Sequence, residues 1–103
     1  MGLDRRLELH SLLATALGSE NVYFQPPPST TLVYPCVVYE RDNNSTKHAD
    51  NVPYVDTQRY QVTLIDKNPD SDVLDKLKKF PLSSYSRHFA TSGLNHDVIV
   101  IYH

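Results

Sequence analysis

The sequence predicts an α+β domain: a largely antiparallel sheet of about five strands carrying two helices, in the order α-β-β-β-α-β-β. Three patterns predict it. Leu9, Leu12, Leu13, Ala16 and Leu17 recur at the spacing i, i+3, i+4, i+7 and i+8, which gathers apolar side chains on one helical stripe. Tyr60, Val62 and Leu64 instead alternate with Gln61 and Thr63, as in a half-exposed strand. The remaining apolar runs are short, β-branched or aromatic, and bounded by Pro, Gly, Asn and Asp. At 103 residues with no internal repeat, the chain reads as one domain over 1–103.

The first helix is expected over about residues 4–17, ended by Gly18, which adopts the positive φ of a C-terminal cap without steric cost. Val22-Tyr23-Phe24 is a short β-prone run closed by Pro26-Pro27-Pro28, a stiff connector without backbone donors. A strand over 34–40 puts Cys36 and Val38 on one face and Val37 and Tyr39 on the other. Residues 41–56 are long, polar and punctuated by Asn43-Asn44, Asp50-Asn51 and Pro53, the mark of a functional or mobile excursion. The alternating strand follows at 60–66.

A second helix is expected over 72–80, capped by Asp70, Ser71 or Asp72, striped by Val73, Leu74, Leu77 and Phe80, and stopped by Pro81. Asp72 and Asp75 early and Lys76, Lys78 and Lys79 late match its dipole, which accounts for the lysines without a nucleic acid. Strands over 85–89 and 97–102 complete the chain around a turn at Ser92-Gly93 and Asn95. Because residues 98–102 are apolar on both faces, this strand is either central or covered on its far face by another subunit, and Val100 joins Leu64 in the expected core.

A net charge of −2 leaves no basic field to bind nucleic acid by counterion release. The single cysteine, Cys36, closes no intrachain disulfide, so a reducing compartment is expected. Arg5-Arg6 and the leucines after them resemble a secretion signal only superficially, since Glu8 and His10 interrupt the run, and no apolar stretch spans a bilayer. The sequon Asn44-Ser45-Thr46 then reads as a polar loop.

Tests for chemistry are negative. Asp66, Asn68 and Asp70 open like a calcium loop, but Ser71 stands where Gly is required and Leu77 where Glu is required. His10, His48, His88, His96 and His103 form no zinc-ligand spacing, and Cys36 in an apolar strand behaves as a small hydrophobe. No phosphate loop, nucleophile elbow or RNA-binding consensus is present. The expectation is therefore no catalytic residue, no cofactor, no metal and no enzymatic activity. Arg41, Asp42, His48, Tyr54 and Arg59, in or beside the polar excursion, are the candidate protein-interface residues on exposure grounds alone.

Five blocks in order carry a resemblance: Asn21-Val22-Tyr23-Phe24-Gln25-Pro26-Pro27; Tyr34-Pro35-Cys36-Val37-Val38-Tyr39; Leu64-Ile65-Asp66-Lys67 with Pro69-Asp70-Ser71; Arg87-His88-Phe89; and Leu94-Asn95-His96-Asp97. From about residue 5 to its C-terminus the chain resembles the tail terminators, or tail completion (tail-to-head joining) proteins, of long-tailed bacteriophages. The resemblance implies a ring, a hexamer in this family, that caps the tail-tube protein, stops its polymerisation and meets a neck or head-completion protein. It also implies assembly in the host bacterial cytoplasm and residence at the head-tail joint of the virion, with neither membrane nor specific nucleic acid as partner. A neighbouring phage neck or connector protein is one alternative. A stand-alone α+β module with a ligand pocket between sheet and helices is another, and a small hydrolase using His88, His96 and Asp97 is a third.

Overall fold

A computed structural model describes residues 2–42 and 58–103. The elements are α1 (Gly2–Leu17), β1 (Val22–Phe24), β2 (Cys36–Arg41), β3 (Arg59–Asp66), α2 (Asp72–Lys78), β4 (Ser83–Thr91) and β5 (Leu94–Tyr102). Their order is the expected one, and the fold is α+β. The five strands lie as β1-β2-β3-β5-β4. All neighbours are antiparallel except β1 and β2, which run parallel because the 25–35 connection carries the chain back to the same end of the sheet.

Both helices lie on one face of this sheet. Leu9, Leu13 and Ala16 of α1 and Leu77 of α2 close over Val37, Tyr39, Tyr60, Val62, Leu64, Ile99 and Ile101 to form the core. Tyr39 is its largest fully buried side chain, and it packs on the rings of Phe24 and Tyr60 at 5.0 and 6.0 Å. Gly18 at φ 81° ends α1 by donating from its N–H to Ala14 O. Ser71 is the N-cap of α2, its Oγ accepting from Val73 N at 3.2 Å.

Several expectations need correction. Leu12 belongs to the helical stripe by spacing but is 44% exposed, because α1 rolls Leu9 and Leu13 onto the sheet. The second helix stops at Lys78 rather than residue 80: Lys79 N and Phe80 N already donate to Lys76 O and Leu77 O, the tighter turn that precedes Pro81. Phe80 still packs against the core from just beyond the helix. Strand β2 begins at Cys36 because Pro35 has no N–H for the ladder.

Asn95 is a strand residue, paired with Ala90. The turn is Ser92-Gly93 alone, at φ 54° and 77°, so both residues take the positive φ of the two-residue hairpin whose twist matches the strands. Val100 faces away from the helices and is half-buried, not core. β5 lies between β3 and β4, one strand from the edge, so it is an interior strand of the sheet.

Candidate protein-interface site

The chain leaves β2 and returns into β3 at one end of the sheet, and opposite charges meet there. Asp42 N donates to Arg59 O at 2.9 Å, which sets the two side chains alongside, and Arg59 Nε lies 3.0 Å from Asp42 Oδ2. That Nε–H makes no hydrogen bond among the described residues, so the attraction is coulombic rather than a directed bond. Gln58 ties the end together. Its amide donates to Asp42 O and Arg59 O, its Oε1 accepts from Arg41 Nη2 at 3.5 Å, and its backbone exchanges two bonds with His103. His103 Nε2 in turn donates to Glu8 Oε1 of α1 at 2.8 Å.

Three of the five candidate residues therefore converge: Arg41, Asp42 and Arg59. His48 and Tyr54 lie outside the described residues, as does residue 43 onward of the polar excursion. Two of the three are not exposed as expected. Asp42 and Arg59 are half-buried and spend their charges on each other, leaving Arg41 as the exposed member.

At the other end of the sheet, a second polar cluster was hidden from sequence reading because Asn95 looked like a turn residue. The Asn95 amide donates to Asp66 O and Lys67 O at 3.4 and 3.2 Å, and its Oδ1 accepts from His88 Nε2 at 3.2 Å. His96 stacks on Phe89 with ring centroids 4.6 Å apart, and its Nδ1 reaches Leu94 O. These contacts join the connection after β3 to the β4–β5 hairpin.

His88 and His96 do not converge. His88 is opposite Asp97 and His96 opposite Phe89, so the two imidazoles leave opposite faces of the sheet, and the trio His88, His96 and Asp97 is not assembled. Asp97 instead accepts from Tyr85 Oη at 3.0 Å, a pairing that keeps a buried carboxylate satisfied. Burial pushes the Cys36 thiol up to about 11, which opposes thiolate formation. Asp66 Oδ1 and Asn68 Oδ1 accept from the N–H groups two residues on, as turn-forming side chains do. Among the described residues no group of three metal-ligating side chains is present, and no helix is long and apolar enough to cross a membrane.

Two surface hollows flank the β4 side. One, of about 260 Å³, is apolar and bounded by Leu12, Phe80, Leu82 and Ile101 with His103 at its rim. The other, of about 310 Å³, lies on the face away from the helices between Arg59, Ser84 and Tyr102. Neither holds the convergent polar groups of a small-molecule site. Comparison with known proteins finds no matching family model, no matching curated protein and no matching solved structure.

Proposed function

We propose that the protein is a structural component of a long-tailed bacteriophage that caps the tail tube as a ring, stops its growth and contributes to the head-tail joint. The reading rests on the five sequence blocks, and one observation lends it weight. Three of those blocks, around Leu64–Lys67, Arg87–Phe89 and Leu94–Asp97, meet at the Asn95 end of the sheet. The Arg41, Asp42 and Arg59 cluster is at the opposite end. The subunit thus has two unlike polar ends.

A cap needs that asymmetry. A tube subunit adds because its lower surface fits the one below, so a terminator copies that lower surface and withholds the upper one. A hexamer on the tube, with a neck protein on its far side, uses the two ends differently. Assembly in the host cytoplasm and later residence in the virion follow from the same reading. With net charge near zero, docking relies on shape and local pairs rather than long-range steering.

The test is genetic and structural. Phage carrying Arg41→Glu, Asp42→Lys or Arg59→Glu are expected to show overlong or headless tails by electron microscopy while the purified variants still fold. Normal-length, head-joined tails from a phage lacking the whole gene would overturn the reading. Normal tails from all three charge variants would remove this end of the sheet from the mechanism.

A further inference from the structure

The two edges of the sheet differ in a way that names the surfaces a second copy would use. Strand β4 forms one edge, and eight of its nine residues are exposed. The two-residue turn makes Thr91 and Leu94 a hydrogen-bonded pair, and the antiparallel alternation repeats that at Phe89–His96 and Arg87–Val98. The N–H and C=O groups of His88 and Ala90 therefore point out of the sheet, and no described residue bonds to them. Such an edge is a template for another strand.

This edge is also cationic on both faces. Residues 76–96 contain Lys76, Lys78, Lys79 and Arg87 and no acidic residue. Lys78 Nζ sits 4.7 Å from the Tyr85 ring on the helix side, and the Arg87 guanidinium 5.7 Å from the Phe89 ring on the other side. Pairing β4 with β4 of another copy would bring these like charges together, which is unfavourable.

The opposite edge, β1 with the end of β2, is acidic on the face away from the helices. Between residues 18 and 42 the acids are Glu20, Glu40 and Asp42 and the only base is Arg41. Asp42 is paired with Arg59; Arg41 keeps its charge beside the neutral Gln58 amide, but alternation sends it to the helix side with Tyr39, so on the face away from the helices Glu40 is the exposed charge of this edge. Arg6 of α1 is near this edge but lies over the Phe24 ring on the helix side. By register, Arg87 shares a row with Val98, Thr63 and Val38, and Glu40 is two residues on from Val38. Arg87 and Glu40 thus project from the same face at opposite edges. Val33 and Tyr34, 55% and 39% exposed, add apolar surface just before β2, as Tyr85 and Phe89 do on β4.

We infer that the β4 edge of one copy docks head to tail on the β1–β2 edge of a second copy, with Arg87 facing Glu40. Contacts of this heterologous kind close into rings, so the inference rests on the ring reading and supplies its subunit contact. The experiment is sedimentation and light scattering of the full chain in low salt, with circular dichroism to monitor folding. Arg87→Glu and Glu40→Arg are each expected to weaken self-association about tenfold or more, and the double variant to recover most of it. Ala90→Pro, which removes an outward N–H from an edge position, is expected to weaken association in the same way without disturbing the β4–β5 ladder. A wild-type oligomer indifferent to all these variants overturns the inference and leaves the ring reading standing. Losses in the single variants without recovery in the double overturn the Arg87–Glu40 contact, and a chain that stays monomeric at every concentration overturns the inference, while the capping reading stands or falls on the tails of a phage lacking the gene.

Discussion

The two faces of the sheet are made from the same strands yet are built differently. On the helix side, Val37, Tyr39, Tyr60, Val62, Leu64, Ile99 and Ile101 are essentially inaccessible, sealed by a second layer of leucines from α1 and α2. On the far side, Cys36, Ile65 and Val98 are buried, but Val38, Thr63 and Val100 are only half covered. No described element lies over this second row as the helices lie over the first. Cover on this face is uneven: Ile65 shares its row with the stacked Phe89 and His96 rings, whereas Thr63, in the middle of the central strand, stays half covered. Apolar alternation in a strand therefore sets which residues share a face, while the depth of burial depends on what is laid across that face.

The largest expected effect sharpens this contrast. Leu64→Ala empties a site inside the two-layer core and is expected to cost about 3 kcal/mol, whereas Val100→Ala on the half-covered face is expected to cost about 1 kcal/mol. Urea unfolding of both variants measures the difference. Equal losses would show that the far face is as tightly covered as the near one, for instance by self-association.

A smaller effect is expected where the helix-side face reaches the sheet margin. Tyr85→Phe removes the hydroxyl that donates to Asp97, a carboxylate only 6% exposed. The loss is expected to be about 1 to 2 kcal/mol, read as a lowered melting temperature. Pairing it with Asp97→Asn in a double-mutant cycle should show coupling between the two side chains.

The smallest effect concerns pH. His10 sits beside the core on α1, its Nδ1 2.8 Å from Tyr39 Oη, and burial chiefly, with Arg6 second, lowers its pKa from the ordinary value of 6.5. The folded chain thus holds fewer protons than the unfolded chain just below that pH. Stability contributed by the neutral imidazole is present above about 6.5 and is lost as pH falls below it. Thermal melts of the wild type and His10→Asn across this range should give a shallower acid-side slope in the variant.

Much of this fold was legible in the sequence. Spacing of Leu9, Leu13 and Ala16, alternation at Tyr60, Val62 and Leu64, the Gly18 and Ser71 caps and Pro81 each act within a few residues, so local chemistry dictates them. Element order and fold class followed from their sum. What the tertiary structure alone decided was which apolar residues are dry, which polar ones meet, and which edge stays open. Leu12 and Val100 fit their stripes and lie outside the core, because the roll of α1 and the single helical layer are set by packing across distant segments. Asp42 with Arg59 and Asn95 with Asp66, Lys67 and His88 are 17, 29, 28 and 7 residues apart by number, with partners chosen by strand register. No local pattern encodes such pairings, since register depends on how every strand of the sheet is aligned at once.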